Sequence, residues 1–365
     1  MLKHLDLINF RNYEKYSIDF TKTTILIGPN GVGKTNVIEA AYILSTGRSW
    51  RTSKDTETIK WGEELAKITC RVQNSEKFEI DLVIQNTPSP KYPQTKIVKI
   101  NGVNKKLTEL LGKIPTVLFS PEEIQIVSGA PVLRRRFLDI LLCQIDKRYT
   151  LALLDLAKII RGRNKLLYFI KIGRSKINEL VFWDEKLVVL GSYIIKKRQQ
   201  AIDQINENLT KIYTEIAGEE ESLLVKYKPT VQAENFTESL IAIQGREVEC
   251  TSTLLGPHRD DMTFLLENKD VTTFGSRGEF RSVVLALKMA ELEYLAQETS
   301  PKLVGLGPKG ERPILLLDDI FSELDKDRRY HLAKLVENQQ AIITTTDLDH
   351  IDKRLREKAK IVELK

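Results

Sequence analysis

Cysteine and histidine are scarce in this 365-residue chain. Its three cysteines, Cys70, Cys143 and Cys250, are odd in number and lack metal-ligand spacing, and its four histidines are dispersed. A disulfide framework and a zinc cluster are therefore excluded, and the thiols read as ordinary reduced cysteines. No run approaches the ~20 apolar residues that a bilayer span needs. The apolar stretches are short and broken by charge, which argues against a membrane-embedded transporter. Nor does any heptad pattern persist long enough for a coiled-coil arm. Internal repeats and low-complexity tracts are missing too. Met1-Leu2-Lys3-His4-Leu5-Asp6 carries no apolar h-region, so a cytoplasmic protein is expected. The nearest thing to a flexible stretch is Asn86–Pro93, read as a loop between strands.

Charge is modest in sum and uneven in placement. The chain carries +6, yet the window from Arg134 to Lys176 holds twelve Lys or Arg against three Asp. Everything else is therefore net acidic. On a continuous helix turning about 100° per residue, Lys147, Lys158, Arg161 and Lys165 fall within about a 60° arc. A solvated helix face is the competing explanation, and a break at Gly162 would spoil the alignment. A basic stripe of this kind suits a phosphate-backbone track and sequence-tolerant DNA binding. No aromatic ladder accompanies it, so base stacking is not indicated as the main grip.

The most specific signal lies near the start. Gly28-Pro29-Asn30-Gly31-Val32-Gly33-Lys34-Thr35 follows the apolar run Thr24–Ile27 and precedes the helix-compatible stretch Asn36–Leu44. Strand, G-x-x-x-x-G-K-[ST], helix is the context of a phosphate-binding loop. Glycines let successive N–H groups point inward as an anion nest, and the helix N-terminus adds its positive dipole end. Lys34 is expected to reach the β- and γ-phosphates of a nucleoside triphosphate, with Thr35 on Mg²⁺.

The C-terminal third narrows the class. Pro313–Leu317 reads as a buried parallel strand running into Asp318-Asp319. An acid at that strand end is where a second Mg²⁺ contact belongs, so Asp318 is assigned to the metal and Asp319 to polarising the attacking water. Ser322-Glu323-Leu324-Asp325 follows as a short acidic turn. Upstream, Ser276 and Glu279 have the spacing of a capping box at a helix start, with Gly278 between them. Lys34 and Asp318 are about 280 residues apart yet must meet at one ion, an interval that calls for a large insertion.

Signature-like turn, acidic strand end and Ser-x-Leu-Asp, in that order, resemble the ABC-type ATPases, in which two heads sandwich two nucleotides. Ser276 and Gly278 then contact the γ-phosphate held by the other head. Asn9-Phe10-Arg11-Asn12-Tyr13, the loop region 28–51, FSPEEIQIVSGAPVLRRRFLD at 119–139, GPHRDD at 256–261 and ILLLDDIFSELD at 314–325 resemble the RecF family of bacterial recombination mediators. The resemblance spans the chain. It implies Arg11 and Asn12 near the nucleotide, with a surface β-turn as the alternative. It also implies an ATP-dependent homodimer, partnership with RecR and RecO, help in loading RecA at single-stranded or gapped DNA, and a part in SOS induction. Asp319 stands where the ABC pattern has glutamate, and threonines occupy Thr344–Thr346 where it has a switch histidine, with His350 nearby. Both departures suggest slow hydrolysis and an ATP-gated clamp. Arg259 is read mainly as a buried salt bridge to Asp260 or Asp261, with a DNA or nucleotide contact as the alternative. A nucleotide-gated scaffold with little direct DNA contact stays open as a second reading, and a transporter-type ATPase subunit as a third.

The expected fold is α/β, an ABC-type P-loop head with a mixed sheet and an inserted, mainly helical lobe. The head takes 1–125 plus 245–365, and the lobe 126–244. Asn101-Gly102 marks a tight hairpin, helical spacing runs from about 130 to 217, and strand character resumes near Leu223–Tyr227.

Overall fold

A computed structural model describes residues 1–73, 77–87, 95–218, 220–298 and 312–365. Of the loop expected at 86–93, only Asn86 and Thr87 lie within the described residues. The chain forms two compact units: Met1–Glu123 with Glu215–Gly218 and Leu285–Lys365, and Ile124–Thr214 with Glu219–Val284.

The first unit is built on two sheets. In the parallel one the strands lie in the order Lys360–Glu363, Thr23–Ile27, Ala341–Thr345, Ile314–Asp318, Thr116–Phe119. Its central strands are buried along their length, as parallel strands covered on both faces must be. This order sets the phosphate-loop strand and the acidic strand on either side of Ala341–Thr345, although their sequences are about 290 residues apart. The antiparallel sheet runs Tyr13–Asp19, Leu2–Phe10, Leu65–Gln73, Lys77–Gln85, Lys96–Ile100, Val103–Lys105. Its period-2 burial, as in Lys77–Gln85, leaves one face apolar. The Asn101-Gly102 hairpin forms as expected, both residues at positive φ (50° and 77°) and Ile100 paired with Val103.

The second unit is mainly helical, with helices Pro131–Cys143, Lys147–Lys171, Val181–Ala217 and Phe236–Cys250. Lys147–Lys171 is unbroken. Gly162 does not end it, because its missing side chain is filled by the Trp183 ring, 2.2 Å from where a Cβ would sit. The unit runs on to Val284, beyond the boundary expected at 244. Strand Leu223–Lys228 pairs antiparallel with Asp261–Leu266, and that long-range register ties the GPHRDD segment into this unit.

Candidate nucleotide site

Helix Lys34–Thr46 begins on Gly33 at φ 115°, a left-handed conformation that other residues adopt at a cost. A side chain there is also sterically refused: its Cβ would lie 2.6 Å from the Tyr13 hydroxyl. Pro29, Asn30 and Gly31 form an exposed crest, while Gly33 and Lys34 are buried. Lys34 Nζ donates to the carbonyls of Gly28 (2.6 Å) and Pro29 (2.9 Å), which folds the loop around its ammonium. Burial lowers the Lys34 pKa, opposed by the nearby charges of Asp319 and Asp318.

The acidic strand end meets the loop directly. Thr35 Oγ1 donates to Asp318 Oδ1 at 2.9 Å. Thr344 Oγ1, on the strand between, donates to the same oxygen at 2.7 Å. Burial raises the Asp318 pKa, and the two hydroxyl donors hold against that shift. Asp319 leaves the strand at φ 49° and starts the short helix Ile320–Glu323; its amide donates to Thr344 Oγ1 at 2.9 Å. Its Oδ1 is buried without a hydrogen-bond partner among the described residues. Hard oxygens at Thr35 and Asp318, with no third protein carboxylate or His completing a cage among the described residues, fit Mg²⁺. That ion keeps phosphate oxygens and waters in its shell. The exposed loop crest and the buried ammonium fit the polyphosphate of ATP.

Arg11 and Asn12 border this site in different ways. Asn12 Nδ2 donates to the loop carbonyl of Val32 (3.0 Å), and its Oδ1 accepts from Asn36 (2.8 Å). Arg11, at φ 55°, instead grips the fully buried Glu39 with Nε (2.9 Å) and Nη2, and donates to Glu57 O at 2.9 Å. Glu39 also accepts from Arg51 Nη1 (3.0 Å) and the Ser49 hydroxyl. Of the two residues expected near the nucleotide, Asn12 bonds to the phosphate loop itself, while the Arg11 guanidinium is engaged in a clamp on the P-loop helix. Sequence reasoning misses Glu39, Arg51 and Tyr13, and it places Thr344 without a partner. The available signals are an acid inside the apolar run Val37–Leu44 and a hydroxyl closing an apolar strand.

The second unit carries the remaining candidates. Ser276 and Glu279 form the capping box: Ser276 N donates to Glu279 Oε2 (2.5 Å) and Glu279 N to Ser276 Oγ (3.2 Å). Ser276 and Gly278 are exposed beside Phe274, itself 73% exposed. Lys147, Lys158, Arg161 and Lys165 all lie exposed on the Lys147–Lys171 helix. Lys158 pairs with Asp155 at 2.8 Å, and Lys165 lies 5.6 Å from the Phe169 ring centre. Other cations of the basic window face inward. Arg163 is fully buried against Glu247 (2.6 Å) and Asp184 (2.7 Å), and Arg134 binds Asp261 at 2.6 Å. The expectation for Arg259 is corrected. It donates to Thr253 O (3.3 Å) and Ser252 Oγ (3.0 Å), because Arg134 takes Asp261 while Tyr227 and Thr230 take Asp260.

The family described as RecF/RecN/SMC N terminal domain matches residues 1–363. The "DNA replication and repair protein RecF" of Agathobacter rectalis is 38% identical over 97% of this chain and 94% of its own length. The protein of that name from Clostridium tetani is 36% identical over 100% and 97%. A solved structure of "the recombination mediator protein RecF-ATP in RecFOR pathway" superposes with a TM-score of 0.87 at 33% identity, covering 96% of this chain and 93% of that one. An Smc head domain from Pyrococcus furiosus shares the fold alone, at 16% identity and TM-score 0.52 over 99% and 92%. No helix among the described residues is long and apolar enough to cross a membrane. By sequence over nearly its whole length and by fold, the chain belongs to the RecF/RecN/SMC family and, within it, to the RecF branch of ABC-type ATPase heads.

Proposed function

We propose that the chain is an ATP-dependent DNA-binding protein of DNA replication and recombinational gap repair, in which ATP joins two heads around DNA and slow hydrolysis releases them. The observation that carries this reading is the 2.9 Å bond between Thr35 and Asp318, which joins phosphate loop and acidic strand in one cation site. Lys34 binds the phosphates, Thr35 and Asp318 hold Mg²⁺, and Asp319, whose Oδ1 has no hydrogen-bond partner among the described residues, positions the attacking water. Mg²⁺ supplies charge neutralisation on the phosphates when bound.

Dimerisation is supported by the signature turn. Ser276, Gly278 and Phe274 stand exposed at a helix start, an arrangement suited to the nucleotide held by a partner protomer. Lys147, Lys158, Arg161 and Lys165 are the proposed phosphate-backbone contacts. Partnership with RecR and RecO, aid to RecA loading and a part in SOS induction follow from the RecF relationship.

The scaffold reading gains one observation: Leu151, Leu154 and Tyr168, each 43–50% exposed, lie at helical spacing along the basic stripe. DNA binding that survives loss of the stripe would favour it.

Mass in solution tests the proposal. With ATP and Mg²⁺ the unmodified chain should shift from monomer to dimer, and with ADP it should not. Ser276→Arg should bind ATP and stay monomeric. Should that variant still dimerise with ATP, the signature turn is merely a capped helix and the clamp is wrong.

A further inference from the structure

One hydroxyl in the first unit touches both acids of the site. Thr344 is fully buried on strand Ala341–Thr345, in register with Asp318 on the neighbouring parallel strand. Its Oγ1 donates to Asp318 Oδ1 at 2.7 Å and accepts from the Asp319 amide at 2.9 Å. A hydroxyl has one proton and two lone pairs, so both contacts are satisfied at once and its rotor is fixed. Packing alone does not call for threonine here. The strand residues before it, Ala341, Ile342 and Ile343, are apolar and buried, and valine would fill the same space.

The backbone explains what the second contact does. Asp319 holds φ 49° and ψ 20°, a left-handed conformation that a β-carbon disfavours. That conformation turns the chain out of the strand and aims the Asp319 side chain, whose Oδ1 has no partner among the described residues. Strained backbone of this kind persists where neighbouring bonds over-determine it. Here those bonds are the amide bond to Thr344 Oγ1 and the Ser322 hydroxyl on the Asp319 carbonyl at 2.7 Å. Asp318 Oδ1 meanwhile receives two hydroxyls, Thr35 and Thr344. Thr35 is itself a proposed metal ligand, so Thr344 is the donor that orients Asp318 without competing for the ion.

We infer that Thr344 is a positioning residue that couples the metal-side carboxylate of Asp318 to the conformation of Asp319, so that a correctly placed Asp318 and a correctly aimed Asp319 are one state. The inference rests on the proposed role of Asp319 as the hydrolytic carboxylate. It also gives Thr344 a task in the segment where the ABC pattern relies on histidine.

Two variants and two measurements test it, using the full chain. Hydrogen exchange at the Asp319 amide in nucleotide-free protein reads the bond directly, without turnover. Thr344→Val should speed that exchange at least about tenfold, since a valine offers no acceptor. With Mg²⁺ and ATP, the same variant should lose about tenfold or more in kcat while KM for ATP changes less than about twofold, because Lys34 and the loop are untouched. Thr344→Ser keeps the hydroxyl and should restore both readouts. The inference is overturned if Thr344→Val exchanges and turns over like the unmodified chain, or if valine and serine are equally impaired, which would assign the residue to packing. An unmodified chain that binds ATP without hydrolysing it would refute the hydrolytic reading instead. Amide exchange in the two variants would still decide whether Thr344 holds Asp319.

Discussion

Glu39→Gln removes the charge on which the clamp beside the phosphate loop converges. Glu39 is completely buried on the P-loop helix and accepts from Arg11 twice, from Arg51 once and from the Ser49 hydroxyl. Removing one partner of a buried ion pair costs about 3–5 kcal/mol, because the opposite charge is left without compensation. Arg11 and Arg51 retain 20% and 37% side-chain exposure, so both partly rehydrate, and the expected loss falls to about 2–3 kcal/mol. The glutamine amide also turns an N–H₂ toward guanidinium donors, which it cannot accept from. Urea unfolding of the full chain, followed by fluorescence of Trp50 with Trp61 and Trp183 replaced by phenylalanine in reference and variant alike, reports on the site, since the Trp50 ring lies edge-on to Tyr42 of the P-loop helix at 5.2 Å. ATP affinity should fall as well, because the clamp anchors the turn whose Asn12 bonds to Val32 of the loop. The double change Arg11→Met with Glu39→Leu should recover part of the stability, as replacing a buried pair by apolar side chains is often neutral while Arg51, 37% exposed, is left to rehydrate. An unchanged midpoint for Glu39→Gln would refute this account. So would a double variant as unstable as the single one, because the loss would then come from packing and not from charge.

Three other outcomes are expected. Lys288, buried between Glu123 (2.9 Å) and Glu291 (2.5 Å), is held charged by those carboxylates against its burial, while burial pushes Glu291 up to about 7. Lys288→Met should therefore destabilise the first unit by about 3 kcal/mol at pH 8. Glu291, raised above its unfolded value, takes up a proton on folding at lower pH, so this loss should shrink as pH falls toward 5; a pH-independent loss in denaturant titrations would contradict it. Gly162→Ala places a Cβ 2.2 Å from the Trp183 ring and should cost about 1–3 kcal/mol in thermal or denaturant unfolding despite the better helix propensity of alanine; a stabilised variant would mean that the ring moves aside freely. Replacing Lys158, Arg161 and Lys165 by alanine should weaken DNA binding alike across sequences and reduce the salt slope by about one for each phosphate no longer neutralised, whereas an unaltered slope would return the stripe to an ordinary solvated face.

Reading the chain alone reached furthest where function is written in consecutive residues. Gly28–Thr35 between a strand and a helix, Asp318-Asp319 after an apolar run, and Ser276 three residues before Glu279 each specify their local geometry through backbone chemistry: glycine conformations, strand burial and capping. The basic window was legible only as composition. Lys147, Lys158, Arg161 and Lys165 lie on one exposed helix. Arg163 and Arg134, counted with them, are consumed by the buried carboxylate of Glu247 and the half-buried one of Asp261. Helical periodicity places a residue on a face, but whether a partner covers that face depends on chain segments about 80–130 residues away.

Length of separation draws the same line at the site itself. By itself the sequence determined that a phosphate loop and an acidic strand exist, because each motif is complete within a few residues. Tertiary structure alone decided that Arg11 turns to Glu39, that Arg259 passes over its two neighbouring aspartates, and that Thr344 stands between Asp318 and Asp319. Those choices are set by parallel-strand register and by competition among buried charges for partners. Neither leaves a trace in local spacing. The inserted unit extends past residue 244 for the same reason: strand Asp261–Leu266 pairs with Leu223–Lys228 across the helix Phe236–Cys250, a long-range register that local spacing does not show.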